Sequence, residues 1–211
     1  MTTYPISLPT GSTVQPKETT FRIVRQVASS SSAFTGAQQV YMYQGEWWEA
    51  EIQLPPMRGA SARAWIATLV SMRGIYGQMY LGDWDGRTPN GTASGTPLVK
   101  GASQTGNSLI TDGWGASVTG IMKAGDYIQL GSGISQRLHM VVADANSDGS
   151  GDCTLSIEPA LRVSPADNLA ITTSSPKGVF RLSSNDTEWN ANAVSTYGLV
   201  FAVKEYLAST T

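Results

Sequence analysis

Residues 46–54 of this chain, EWWEAEIQL, alternate between apolar and polar or charged side chains. In an extended strand successive side chains point to opposite faces, so Trp48, Ala50, Ile52 and Leu54 share one face. The opposite face carries Trp, Glu, Glu and Gln at positions 47, 49, 51 and 53. This pattern is typical of a sheet with one face on a core and the other toward solvent or a partner. The stretch therefore predicts a β-rich fold.

The segments on either side predict further strands. Residues 39–44, QVYMYQ, precede Gly45 and predict the first strand of a hairpin that turns at this glycine. Residues 20–28 alternate as well and predict an earlier strand, followed by a polar loop over residues 29–32. Pro55 and the proline after it end the strand, because proline cannot continue a central strand.

Residues 59–73, GASARAWIATLVSMR, predict one amphipathic helix. Ser61 is a candidate N-cap, and Gly74 follows at the position where a left-handed residue often ends a helix. The apolar residues recur at helical spacing and form a single stripe that would pack on the sheet: Ala62, Trp65, Ile66, Leu69 and Met72.

Two runs of turn-forming residues, 85–97 and 173–178, divide the rest of the chain. Between them short strands recur at intervals of about ten residues, which predicts a small antiparallel barrel or sandwich. We therefore expect a mainly β fold, a β-sandwich with one packed α-helix plus an inserted small antiparallel β-barrel over residues 98–172. The first domain is then discontinuous, residues 19–84 and 178–211. Residues 1–18 are expected to be an extended N-terminal arm.

Composition narrows the classes of function. The chain has 211 residues and a net charge of −2. It has no basic patch of the kind that nucleic-acid binding requires. Charged residues make up 14%, which suits either a surface covered by partners or a β protein with uncharged turns. No apolar run reaches membrane-spanning length, and the start lacks the pattern of a signal peptide. We expect a soluble protein made in a cytoplasm.

The acidic run DANSDGSGD, residues 144–152, begins like a calcium-binding loop. An EF-hand loop needs flanking helices and a glutamate at its twelfth position, which here is Leu155. Both flanks are predicted strands, and Asp-Gly between strands favours a hairpin. We interpret the run as a hairpin tip with no specific ion, with weak surface calcium binding as the alternative.

Other catalytic and cofactor sites are not indicated. His139 is the single histidine and lies within a predicted strand, and Cys153 is the single cysteine and follows the acidic run. Triad chemistry and zinc binding need more such residues than this, and the phosphate-binding glycine motifs are missing. We therefore expect no enzyme activity, no cofactor and no metal.

A cluster of tryptophans and carboxylates permits two interpretations. Trp47, Trp48, Glu49 and Glu51, with Trp84 later, could form a sugar platform with paired carboxylates, as in glycosidases. The other interpretation places Trp48 in the core and Trp47 at a strand edge or interface. The alternation of residues 46–54 favours the second.

Three segments together resemble the distal tail proteins and related minor tail proteins of bacteriophages with long non-contractile tails. They are WWEAEIQLPPM, then ARAWIATLVSMRGIYGQMYLGDW, and later VFRLSSNDTEWNANAVSTYGLVFAVKEYL. The resemblance covers residues 20–84 and 178–207. The middle of the chain, including KAGDYIQLG and LHMVVADANSDGSGDCTLSIEPALR, resembles a small β-barrel inserted into such proteins.

The resemblance implies a tail-tube-like domain and a structural role in the virion. Such a protein forms a ring at the tail tip or baseplate, most often a hexamer, between the tail tube and the hub. Its partners would be copies of itself, the tube protein and the hub proteins. Within this hypothesis Trp47, Glu49 and Glu51 are the candidate assembly interface.

Two alternatives remain. A carbohydrate-binding β module for host adsorption would use Trp84 and Trp114 as ligand-facing aromatics. An enzyme on a β-sandwich is the third hypothesis.

Overall fold

The protein is described by a computed structural model over residues 3–9, 15–191 and 196–207. Within these ranges the chain forms fourteen β-strands, one α-helix, α1 (Gly59–Ser71), and three short 3-10 turns. The expected mainly β fold, with one packed helix and a small antiparallel barrel, is confirmed. In this described part of the chain, no helix is both long enough and apolar enough to cross a bilayer.

The first sheet takes its strands from both ends of the chain. They are β1 (Ile6–Ser7), β2 (Glu18–Ser31), β3 (Gln38–Gln53), β4 (Met79–Leu81), β11 (Gly178–Leu182) and β14 (Val200–Glu205). Their spatial order is β1-β4-β11-β14-β3-β2, with β1 parallel to β4 and the other neighbours antiparallel. Two short strands, β12 (Asn190–Ala191) and β13 (Tyr197–Gly198), form a separate pair.

The core of this sheet follows from the alternation in β3. Trp48, Ala50, Ile52 and Leu54 are all buried, as predicted. Helix α1 packs against this face, and the Trp65 ring lies 6.1 Å from the Phe201 ring between centroids. The predicted helical stripe is buried except for one partly buried residue at its border, Ile66.

Both ends of α1 differ from the predicted caps. The helix begins with Arg58 as N-cap, without a side-chain hydrogen bond, so Ser61 is not the cap. At the other end Arg73 already has a left-handed backbone, with φ of 54°, and Gly74 continues it with φ of 64°. Gly74 is buried, and a Cβ added there would lie 2.7 Å from the Asn185 backbone. The glycine is therefore needed for close approach as well as for chain reversal.

The predicted hairpin turn at Gly45 is wrong. Residues 38–53 form one continuous strand, and Gly45 lies within it without a positive φ. The hairpin joins β2 to β3, and its loop is closed by the amide of Ser32 donating to the carbonyl of Ala37. The serine run expected to be a loop is paired strand, Ser29 opposite Val40 and Ser31 opposite Gln38. Strand pairing overrides the low strand preference of these residues.

Part of the segment expected to be an extended N-terminal arm is docked on the first domain. Ile6 and Ser7 pair in parallel with Met79 and Tyr80, and Leu8 is buried in the core. The Tyr4 hydroxyl donates a hydrogen bond to the carbonyl of Ser71 at the end of α1.

The second sheet comes from the middle of the chain. Its strands are β5 (Gly95–Val99), β6 (Gly106–Trp114), β7 (Tyr127–Leu130), β8 (Arg137–Val141), β9 (Cys153–Leu161) and β10 (Ile171–Thr172), in the order β10-β7-β8-β9-β6-β5. The sheet curls nearly closed, because Val99 exchanges backbone hydrogen bonds of 2.9 and 2.8 Å with Leu169 and Asn168 just before β10. The interior forms a separate apolar cluster.

The barrel and the first sheet share a packed junction. Leu138 and Tyr127 of the barrel belong to the apolar core of the first sheet. The indole of Trp48 donates to the carbonyl of Leu138 at 2.9 Å. Beside this contact, Arg162 at the end of β9 pairs with Glu205 at the end of β14.

Candidate functional site

The far part of the β2–β3 hairpin, residues 26–44, projects beyond the rest of the sheet, and we name it the hairpin arm. Strand β14 pairs with β3 over residues 49–53 only. Beyond that point β3 has β2 as its one strand neighbour among the described residues. From residue 26 to residue 43 every side chain is exposed, including Phe34 at the tip, which is 100% exposed. At strand rise the arm extends roughly 20 Å from its base.

The two faces of the hairpin arm both present large apolar or aromatic groups. Val27 pairs with Met42, and Val40 follows on the same side, which gives an aliphatic face. Tyr41 and Tyr43 lie on the opposite face with ring centroids 4.9 Å apart, edge to face. These five side chains are each more than half exposed.

The hairpin arm lacks the charged residues and prolines that commonly protect exposed strand edges. Natural edge strands are commonly short, or carry lysine or proline, so that other chains do not pair with them. Here β2 is 14 residues long and forms the outer edge of its sheet. Residues 26–45 contain no charged residue and no proline. Because a two-stranded ribbon is only marginally stable in water by itself, this surface is suited to being covered by another chain.

The base of the hairpin arm carries two of the three residues predicted as an assembly interface. The Trp47 indole donates to Oε1 of Glu49 at 3.0 Å, and Nζ of Lys204 lies 4.3 Å from a Trp47 ring centroid. Glu49 also accepts two hydrogen bonds from Arg22, at 2.9 and 2.6 Å. These hydrogen bonds, from Trp47 first and then Arg22, lower the pKa of the Glu49 carboxyl, which therefore stays ionised.

Glu51 lies on the same outer face, opposite Thr20 and Ala202, and is exposed. The structure thus places the three predicted residues on one surface, as the alternation required. Trp47 and Glu49 are held by local partners, whereas Glu51 is free toward solvent. Their role in assembly stays a prediction.

The hairpin arm itself was missed by the sequence reasoning. Its residues were divided among the end of the strand predicted over residues 20–28, the polar loop over 29–32 and, over 39–44, the first strand of a different hairpin. A usable signal was present, namely the charge-free run of residues 26–45 with alternating Val, Tyr and Met near its end. A long uncharged segment without proline or aspartate is compatible with pairing along its whole length.

The two aromatics predicted to face a ligand have different surroundings. Trp114 is 5% exposed and donates to the hydroxyl of Thr111 at 2.7 Å, so it belongs to the barrel core and offers no open ring face. Trp84 is half-buried against the first core and lines a cleft of about 230 Å³ with Asp83 and Lys177. The guanidinium of Arg87 lies over its ring at 5.7 Å.

The carboxylates of the acidic run 144–152 are used within the barrel. Asp148 accepts the amides of Ser150 and Asp152 at 2.8 and 2.9 Å, and these bonds lower its pKa. Asp144 accepts the amide of Ala124 at 2.9 Å, and Asp152 pairs with Lys100. The run joins the antiparallel neighbours β8 and β9, consistent with the hairpin interpretation. Across the described ranges, His, Cys, Asp and Glu side chains form no group of three that could hold a metal.

His139 and Cys153 occupy interior positions. The His139 Nδ1 lies 2.7 Å from the carbonyl of Pro159, and burial lowers the pKa of the imidazole, so the ring is neutral at pH 7. Burial raises the pKa of the Cys153 thiol, with a smaller contribution from Asp148. A protonated, buried thiol is a poor nucleophile.

Comparison with known proteins adds no relatives: no family model matches the chain, and no curated protein matches its sequence.

Proposed function

We propose that the chain is a structural subunit of a bacteriophage tail, forming the ring at the distal end that joins the tail tube to the hub of the host-recognition apparatus. The observation that carries this proposal is the hairpin arm, which is uncharged, exposed on both faces and unpaired along its edges. The resemblance of residues 20–84 and 178–207 to distal tail proteins supports the location at the tail tip.

The energetics of the hairpin arm favour association. Fully burying one Val, Met or comparable side chain contributes about 1.5–3 kcal/mol, and the arm exposes several of them. Because residues 26–45 carry no charge, covering them costs no desolvation of ionised groups. A partner strand along β2 would also satisfy the unpaired backbone groups of that edge.

The arrangement is suited to a ring. The hairpin arm extends from one place on the subunit, so an arm that packs against a different surface of the next copy makes a head-to-tail contact. Contacts of this kind close into rings when the rotation between copies closes. We propose a homohexamer, with the tube protein and the hub proteins bound to its two sides. The proposed edge of this contact is formed by Trp47 and Glu49 at the base of the arm and by Glu51 on the same outer face.

The experiment compares the wild-type chain with an arm-deleted variant. Residues 26–45 are replaced by Asn-Gly, which closes a tight hairpin between the paired residues Arg25 and Glu46. None of the deleted residues belongs to either apolar core, so we expect the variant to fold. Light scattering across a concentration series, with negative-stain images, should show rings or higher mass for the wild type and monomer for the variant.

A double substitution in the hairpin arm and a matched control variant test the same contact without a deletion. Tyr41→Ser with Tyr43→Ser should weaken association without touching the fold. Val70→Ser changes a residue that is 50% exposed on α1, away from the hairpin arm, and should leave the mass unchanged. Assembly that survives the arm deletion would contradict the proposal.

The carbohydrate-binding alternative rests on the cleft beside Trp84. Its mixed charges, from Asp83, Arg87 and Lys177, are compatible with a polar ligand. A glycan screen with the wild type and Trp84→Ala tests it directly. Glycan binding lost in that variant, by a chain that stays monomeric, would favour this alternative over the ring.

A further inference from the structure

A cavity of about 360 Å³ opens at one end of the barrel. Its volume lies in the range of sites that hold small molecules. The walls come from the end of β7, from β8, from the end of β9 and from the loop that follows β9. Most of the lining is apolar, contributed by Leu130, Leu161, Val163, Pro165 and Leu169.

One of the two arginines in the cavity wall is already paired. Arg162 donates to both carboxylate oxygens of Glu205, at 2.9 and 2.8 Å, and also to the carbonyl of Glu46. Glu205 is 3% exposed and accepts the amide of Trp48 as well. The charges of Arg162 and Glu205 therefore cancel locally.

The second arginine has no such partner. Nη1 of Arg137 donates to the carbonyls of Ile134 and Gln136, at 3.2 and 3.0 Å. Within the described ranges, Arg137 forms no salt bridge with a carboxylate. A guanidinium has five N–H donors, so most of its hydrogen-bonding capacity is unused. Burial lowers the pKa of Arg137, and the carboxylate of Glu205, which is already paired with Arg162, offsets part of this shift from a distance.

The third titratable group of the wall carries no charge. His139 is 5% exposed, and its Nδ1 is engaged by the carbonyl of Pro159. The neutral ring leaves Arg137 as the source of the net positive charge at this end of the cavity. A guanidinium binds a carboxylate through two parallel N–H···O bonds, and the apolar walls require an apolar body on the same molecule.

We propose that this cavity binds a small monocarboxylate with an apolar body, its carboxylate on Arg137 and its body against Leu130, Leu161 and Leu169. The cavity shares no lining residue with the hairpin arm, so ligand binding and ring formation are tested separately.

The test is calorimetric titration of the full chain with three eight-carbon probes that differ in the head group: octanoate, 1-octanol and octylammonium. A charge-assisted hydrogen-bond pair should make octanoate bind at least about tenfold tighter than octanol. Octylammonium should bind most weakly, because its charge repels Arg137. In Arg137→Gln the affinity for octanoate should fall to that for octanol, while octanol binding is unchanged.

The control variant is Arg63→Gln, which removes the same charge from an exposed position on α1 and should bind octanoate like the wild type. If Arg137→Gln fails to fold, Arg137→Lys provides the test instead. It keeps the charge and should therefore keep a reduced preference for octanoate over octylammonium. Equal affinity of the wild type for octanoate and octanol, or no measurable heat with octanoate, would overturn the proposal.

Discussion

Removing Arg162 should destabilise the fold more than neutralising its partner Glu205. Glu205 has a side chain that is 3% exposed, whereas the Arg162 side chain is 25% exposed. Arg162→Met would leave a buried carboxylate with the amide of Trp48, at 3.0 Å, as its remaining partner. Glu205→Gln would instead leave an arginine that can turn its charge toward water.

The expected losses in the free energy of unfolding follow from this difference in burial. Removing one member of a buried ion pair costs about 3–5 kcal/mol, because the other charge stays uncompensated. We expect Arg162→Met to fall in this range. Glu205→Gln keeps an oxygen for the Trp48 amide and should cost about 1–3 kcal/mol. In the double variant the stranded charge no longer exists, so it should be more stable than Arg162→Met alone.

The assay is equilibrium urea unfolding of the wild type, both single variants and the double variant at pH 7, analysed as a double-mutant cycle. The informative quantity is the sign of the change in the free energy of unfolding when Glu205→Gln is added to Arg162→Met. A further loss of stability at that step would refute the reasoning, since it would mean that Glu205 is not stranded by the loss of Arg162.

Two further predictions concern the first domain. Leu69→Ala should lower the free energy of unfolding by about 2–5 kcal/mol, because this α1 side chain is 1% exposed. The control is Val70→Ala at the next residue, which is half exposed and should change the free energy of unfolding by less than about 0.5 kcal/mol in the same urea experiment. Equal losses in the two variants would show that the helix packs differently. Burial, and then the neighbouring Glu158, raise the pKa of the Glu46 carboxyl above its usual 4.5. The folded state therefore binds this proton more tightly than the unfolded state, and the free energy of unfolding should fall as the pH rises from about 4.5 through the raised pKa. Glu46→Gln should flatten that dependence, and a slope equal to that of the wild type would exclude Glu46 as its source.

The core of the first domain could be predicted because the spacing of apolar residues within each single strand or helix indicates which side chains are buried. Alternation assigns the buried side chains of β3, and helical spacing assigns the stripe of α1 that covers them. The same reasoning placed Trp47, Glu49 and Glu51 on the outer face. These assignments need no knowledge of strand order, since each depends on the period of one element.

The hairpin and the barrel interior could not be predicted in the same way. An exposed ribbon has no core face, so its strands give no alternation of buried and exposed side chains, and Gly45 resembled a turn although it lies within β3, beside Gln26 at the register shift. Trp114 is buried because the carbonyl of Gly151 accepts its amide and Thr111 accepts its indole N–H. The contact with Gly151 depends on the register of a curled sheet, which composition and spacing do not determine.

A charged cluster at the junction connects the base of the hairpin arm to the barrel. Arg25 is the last residue of β2 before the register shift at the base of the hairpin arm. Its guanidinium lies 3.8 Å from a Glu46 carboxylate oxygen within the hairpin and 3.5 Å from one of Glu158 on β9 of the barrel. Because Arg25 lies before the register shift, this contact joins the base of the hairpin arm, and not the arm itself, to the barrel. In the proposed ring the barrel would thereby fix the base from which the hairpin arm extends.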